Sequence, residues 1–430
     1  MSGPGRGSAV PGHVPRPTIG LLVGLAAVVV LLATGSSAQA APGEPELREP
    51  SDALDEALSC PERFEATDRE PVLLVHGTGP VARENFGWNL LPQLRADGFD
   101  VCTVDLPTRA LADIQVASEY VVYAVRTIHA ATGRPVDVAG HSQGGLEPRW
   151  AMAWWPSTRD QIDDLVTFAS PHDGTLAADA ACAGTMCWPA VHQMRPGSQF
   201  LAALWAQEDL GAVDVTSLGS RMDELVQPPE TIELPGAANI HLQDVCPARP
   251  VTHISIVADA VAYALTVDAF TSPGPADVSR LPEDICLETF IDEASPEHLL
   301  DPDALGEYLD GSFVDPEIPR SLLTSEEPEI ADYAKAAQQP EPDERPDGDE
   351  RSDDAEPPRD GEQPEDGDPR ADGEQPDEPA PDAIDAPDDE PAAEVLPVTG
   401  GGATLLAAAA LASALALKGA VGIGRPARRR

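Results

Sequence analysis

Short apolar runs alternate with stretches of helical period through the middle of the chain. Pro71–His76 (Pro-Val-Leu-Leu-Val-His) is apolar until a histidine and a glycine close it, the pattern of a strand buried on both faces. Phe99–Val104, Pro135–Ala139, Ile162–Ala169 and Val213–Leu218 repeat that pattern, and Asn239–Leu242 is a shorter sixth run. Ile114–Ala131 puts Val121, Val122, Val125 and Ile128 on one side of a helix, and Leu146–Trp155 and Ile254–Val267 also read as helices. Alternation at this spacing predicts an α/β fold, a mostly parallel sheet with helices on both faces. The stretch from Asp173 to Leu210 breaks the rhythm, which predicts a small cap insertion near 173–210.

The two ends carry a different pattern. Arg6 and Arg16 precede an apolar run from Ile19 to Ala33, and small residues then lead to Ala38-Gln39-Ala40. That order predicts a signal peptide over 1–40, cut after Ala40, and hence export. At the other end Leu396-Pro397-Val398-Thr399-Gly400 precedes an apolar stretch, Ala403 to Leu417, then Lys418 and a tail holding Arg425, Arg428, Arg429 and Arg430. The apolar stretch with a basic end predicts transient retention in a membrane. The three parts of 396–430 together resemble a sortase cell-wall sorting signal (L-P-x-T-G, apolar helix, basic tail). The resemblance implies cleavage between Thr399 and Gly400 and covalent attachment to peptidoglycan, so sortase and a Gram-positive wall are the expected partners.

Charge sharpens the division into domains. The chain has 27 Lys+Arg against 74 Asp+Glu, a net of −47, which excludes a general nucleic-acid binder because phosphate neutralisation needs a basic surface. Much of the acid is concentrated: Glu326 to Glu394 hold 28 acidic and five basic residues with 13 prolines. Such a segment buries too little apolar area to offset chain entropy, so 326–395 is expected to be a disordered acidic stalk spanning the wall, and 41–325 the folded domain. Six cysteines, Cys60, Cys102, Cys182, Cys187, Cys246 and Cys286, fit three disulfides in an exported chain. Cys182 and Cys187 are near enough in sequence to close a small loop, while the other four leave three pairings open.

One motif carries chemistry. Gly140-His141-Ser142-Gln143-Gly144 is a G-x-S-x-G sequence set between a strand and a helix. Glycines permit the tight turn that lifts the serine hydroxyl above the sheet edge, and the helix N-terminus favours the negative charge that develops there. A serine nucleophile needs a base, and the base needs an orienting acid. Asp223 follows the Val213–Leu218 strand, with Asp214, Glu224 and Asp244 as rivals. His253 precedes the Ile254–Val267 helix, with His241 and His192 as rivals. The oxyanion calls for the backbone N–H of Gln143 and a donor from His76-Gly77-Thr78-Gly79, where the Thr78 hydroxyl can add to the set. His76 itself is read as a structural residue of that loop.

These motifs, with Phe168-Ala169-Ser170-Pro171-His172-Asp173-Gly174-Thr175 and Asp223-Glu224-Leu225-Val226-Gln227-Pro228, resemble lipases of the α/β-hydrolase superfamily, of the Candida antarctica lipase B type. The resemblance runs from about Cys60 to Cys286. It implies an α/β-hydrolase fold, with Ser142 as nucleophile, Asp223 as acid, His253 as base, and Thr78 and Gln143 as oxyanion donors. It also implies the pairs Cys60–Cys102 and Cys246–Cys286, and hydrolysis of carboxylic esters of lipids without a metal or other cofactor. Glu147 departs from the family, standing where an apolar residue is usual. His172 and Asp173 are expected to shape their loop, and Trp150, Trp154 and Trp155 to pack. Trp188, Leu201, Leu204 and Trp205 form either an apolar acyl-binding wall or the core of the cap. The expected function is that of a secreted, wall-anchored serine lipase or carboxylesterase. A binding protein on an inactive hydrolase scaffold, and an acyltransferase or amidase with the same triad, are the competing readings.

Overall fold

Alternate residues of each strand face opposite layers of apolar side chains. A computed structural model describes residues 43–65, 69–184, 186–207, 210–295 and 318–337. Its strands are β1 (Leu58–Ser59), β2 (Val72–Val75), β3 (Val101–Val104), β4 (Val136–His141), β5 (Ile162–Phe168), β6 (Asp214–Gly219) and β7 (Ala238–His241). They form one sheet in the order β1-β3-β2-β4-β5-β6-β7. All neighbours are parallel except β1, which runs antiparallel to β3.

The helices are α1 (Ser51–Ala57), α2 (Ala82–Phe86), α3 (Leu90–Ala96), α4 (Ile114–Thr132), α5 (Leu146–Trp154), α6 (Pro156–Arg159), α7 (Leu176–Cys182), α8 (Pro189–Gln193), α9 (Gln199–Trp205), α10 (Leu242–Val245), α11 (Ala260–Thr271) and α12 (Asp332–Ala337). Leu73 and Val75 of β2 pack with α4 and α5, whereas Val72 and Leu74 pack with Phe86, Leu90, Leu94 and α11. Burial on both faces is the reason these strands read as continuous apolar runs. In α4 the Asp113 side chain caps the first turn and Gly133, at φ 67°, ends the last.

The structure trims several expected elements. Phe99 is buried ahead of β3 rather than paired in it. The helix expected from Ile254 begins at Ala260, because the Asp259 carboxylate accepts from the N–H groups of Val261 and Ala262 and sets the start there; a single 3-10 turn, Ser255–Ala258, precedes it. The insertion between β5 and β6 is built from α7, α8 and α9. Leu201 and Leu204 are buried in it, and Phe200 of α9 stacks on Trp150 of α5 at 4.7 Å between ring centres. Leu201 and Leu204 therefore serve as core of the cap. Disulfides join Cys60 to Cys102, Cys182 to Cys187 and Cys246 to Cys286.

The stalk expected from residue 326 does not begin there. Glu327 accepts from the N–H groups of Gln199 and Phe200 at the start of α9, at 2.9 and 2.8 Å. Gln115 of α4 exchanges hydrogen bonds with the backbone of Glu329 and Ala331. Ile330 and Ala334 are buried, and the Tyr333 hydroxyl receives the Trp150 indole N–H at 3.0 Å. Ile330, Tyr333 and Ala334 lie at helical spacing, a local apolar stripe that the acidic average of the region conceals. The signal peptide, the sorting signal with Thr399 and Gly400, the apolar 403–417 stretch and the stalk beyond 337 lie outside the described residues. Among the described residues no helix is long and apolar enough to cross a membrane.

Candidate active site

β4 ends at His141, and the chain then turns so sharply that Ser142 adopts φ 57°, a left-handed conformation that costs a serine on the order of 1–2 kcal/mol. Two glycines make the turn possible. A Cβ on Gly140 would lie 2.2 Å from the Gly144 carbonyl oxygen, and one on Gly144 would lie 2.2 Å from that of Val75. The strain lifts Ser142, half-buried, to the carboxyl end of the central strands.

The structure brings Ser142, His253 and Asp223 together. Ser142 Oγ is 2.9 Å from His253 Nε2, and His253 Nδ1 is 2.8 Å from Asp223 Oδ2. The other Asp223 oxygen accepts from the N–H groups of Leu225 and Val226, both at 2.8 Å, which locks the carboxylate toward the imidazole. Glu224 accepts from the His253 backbone N–H at 3.1 Å. Burial pulls the His253 pKa down, but the charge and hydrogen bond of Asp223, with the charge of Glu224, outweigh it and leave the pKa raised. Of the rivals, Glu224 stays at the site but on the His253 backbone, while Asp244 pairs with Arg221, His241 donates to the Pro229 carbonyl and His192 to that of Thr324.

The oxyanion side is wired through side chains. The Thr78 hydroxyl donates to Gln143 Oε1 at 2.5 Å, and Gln143 Nε2 donates to Glu147 Oε1 at 2.7 Å. Glu147 is fully buried; burial pushes its carboxyl up to about 8, only partly offset by Gln143, so it is neutral at pH 7 and its unpartnered Oε2 is left to carry the proton. The departure at this position is thus a neutral acid that orients Gln143, where an ionised one would disrupt the packing.

A second network had no signal in the sequence. The Gly77 N–H donates to Asn85 Oδ1 at 2.9 Å, Asn85 Nδ2 to His141 Nδ1 at 3.0 Å, and His141 Nε2 to the His253 carbonyl at 3.0 Å. This ties the Gly77 loop, the Ser142 turn and the His253 segment together. Burial and the adjacent His253 push the His141 pKa down to about 3, so the ring works as a neutral bridge. His76 is likewise structural: Nδ1 donates to the Gly77 carbonyl and Nε2 accepts from Leu106 N–H, each at 2.8 Å. His172 is fully buried, with Nδ1 3.3 Å from Arg149 Nη1 and Nε2 3.1 Å from Thr167 Oγ1, and shapes its loop rather than facing a substrate. Groups able to ligate a cation lie at the other end of β4, where carboxylate oxygens of Asp137, Asp163 and Asp164 fall within 4.8 Å of one another.

No family model matches the chain. It is 31% identical over 238 residues to lipase B of Pseudozyma antarctica, covering 53% of this chain and 70% of that protein. A shorter match of 88 residues, 33% identical, links it to (E)-2-((N-methylformamido)methylene)succinate hydrolase of Acinetobacter baylyi, over 19% of this chain and 32% of that one. Its fold is similar to the crystal structure of Aspergillus fumigatus lipase B, with a TM-score of 0.62 and 30% identity, over 68% of this chain and 74% of the other.

Proposed function

The chain belongs to the lipase B family of α/β-hydrolases, hydrolases of ester bonds, and on that footing we propose that it is a serine lipase or carboxylesterase acting on lipid esters through Ser142, His253 and Asp223. The observation that carries the reading is the unbroken line of hydrogen bonds, 2.9 and 2.8 Å, from a strained serine through an imidazole to a fixed carboxylate. His253 takes the Ser142 proton as Oγ adds to the ester carbonyl, and Asp223 stabilises the imidazolium. The tetrahedral oxyanion is met by the Gln143 backbone N–H and by the Thr78 hydroxyl, which turns its proton from Gln143 Oε1 to the new charge. Collapse expels the alcohol with the proton from His253. Water activated by the same imidazole then releases the acid and regenerates Ser142.

Two exposed apolar side chains favour a lipid over a small polar ester. Met222 precedes Asp223, and Leu176 begins α7, whose N–H donates to the Gln227 carbonyl of the acid loop at 2.9 Å. The test is turnover of p-nitrophenyl esters from acetate to palmitate by the full chain and by Ser142→Ala. Loss of at least about 10⁴-fold in the variant is expected. Equal rates in the two proteins, or no turnover by a folded wild type, would refute the reading and favour a binding scaffold. An optimum at long chains marks a lipase and one at acetate an esterase.

We further propose export by residues 1–40 and wall attachment through Thr399. The support is the order of L-P-x-T-G, apolar stretch and basic tail. Release of the protein from Gram-positive cells by muramidase, with Thr399→Ala staying in the membrane fraction, is the expected result. Equal membrane retention of both forms would oppose it.

A further inference from the structure

The strand register at the far end of β4 is irregular. Val136 pairs with Ile162 and Val138 with Leu165, so a single residue, Asp137, faces two residues of β5, Asp163 and Asp164. This is a β-bulge, a device that redirects side chains. Here it gathers three carboxylates whose oxygens lie within 4.8 Å of one another. Asp214 of β6 stands beside Asp164 in register, and Glu70 lies next to the residue whose carbonyl receives the Asp137 N–H.

Electrostatics makes the gathering costly. Asp137 is 0% exposed and neither of its carboxylate oxygens has a hydrogen-bond partner; Asp164 is 7% exposed with one oxygen unpartnered. Burial, then the charges of Asp164, Asp163 and Glu70, oppose ionisation of Asp137. The nearby cation, Arg134, reaches Asp100 at 3.6 Å and acts on Glu70. Buried carboxylates whose lone pairs have no donor and face one another are stabilised when something positive sits between them.

We propose that Asp137, Asp163 and Asp164 form a binding site for a divalent hard cation, calcium foremost, at the end of the sheet opposite the nucleophile. An all-carboxylate donor set selects hard cations, and calcium tolerates the irregular geometry that a bulge imposes, where magnesium demands a regular octahedron. Asp163 is exposed, which supplies the entry path and room for the waters that complete the shell. Asp137 lies five residues before Ser142 along β4, about 16 Å at 3.3 Å per residue, so the cation's role is to hold β4 against β5 and not to take part in hydrolysis.

The test is thermal unfolding of the full chain after EDTA treatment, with and without about 10 mM calcium chloride, against sodium chloride of equal ionic strength. Wild type is expected to gain several degrees in Tm from calcium, and Asp137→Asn to lose that gain. Asp163→Asn, a surface change that leaves the core intact, is expected to lose it as well. The acidic stretch beyond residue 337 is common to all three proteins, so a response that it causes would persist in both variants. A persistent response in both, or no response in wild type, would overturn the site.

Discussion

Replacing Glu147 by Gln isolates the cost of a buried acid behind the nucleophile. In the folded protein its carboxyl rises from the ordinary value of 4.5 to about 8, with burial the leading cause and the Gln143 hydrogen bond opposing it. Glutamine keeps the acceptor for Gln143 Nε2 and places an NH₂ where the acid carries its proton, so shape and wiring survive. A folded pKa above the unfolded one means that the native state binds the extra proton. The stability this brings is complete below about pH 4.5 and is lost as pH rises through about 8. At 1.36 kcal/mol for each pH unit, the loss approaches about 5 kcal/mol. Water entering the site reduces that figure, and about 2 kcal/mol is the least that the argument tolerates. Asp164, also pushed up to about 8 by burial, titrates in both proteins and cancels in the comparison. The assay is urea unfolding of both proteins at pH 5, 7 and 9. The variant should match wild type near pH 5 and exceed it progressively toward pH 9. Parallel pH curves, or a variant weaker throughout, would refute a neutral Glu147.

Hydrolysis should increase with pH through a midpoint above 6.5, since His253 must be neutral to accept the Ser142 proton; Glu224→Gln should move that midpoint to lower pH, read from kcat/KM profiles. Gly144→Ala would drive a Cβ to 2.2 Å from the Val75 carbonyl oxygen, a backbone atom that cannot swing away. Its cost should exceed the about 1–3 kcal/mol of ordinary overpacking, seen as a fall in Tm with near-complete loss of ester turnover. A chain ending at 325 should unfold at lower temperature than one ending at 337. Losing the buried Ile330 and the Tyr333 contacts removes about 3 kcal/mol, and equal Tm values would show that the segment contributes nothing.

The central strands were legible because a sheet covered on both faces writes itself as apolar runs, and the nucleophile because its glycines have no substitute. Position narrowed the acid and the base to a few candidates, and the family resemblance singled out Asp223 and His253 among them. The start of α11 was misjudged because apolar spacing continues through Ser255–Ala258, while a capping side chain at Asp259 decides where the helix begins. The Asn85–His141 bridge was invisible: its partners come from distant segments, and nothing in the spacing of an asparagine marks it. Residues 326–337 were concealed by averaging, since two buried side chains, Ile330 and Ala334, and the half-buried Tyr333 are lost among the acids around them. Composition describes what a region can do in water, and packing depends on which single residues meet a complementary surface.

The rings of His141 and His253 stand 5.0 Å apart, identical in chemistry and opposite in duty. In the proposed cycle His253 accepts and returns a proton while His141 must never take one, since two imidazolium ions at that distance would repel. Asn85 and the His253 carbonyl settle the matter by engaging both nitrogens of His141, which leaves it no lone pair for a proton from solvent. On the proposed mechanism acidification is expected to act in two stages, and protonation of His253 comes first. Only near pH 3, when His141 itself charges, does the framework that joins the loops come under strain.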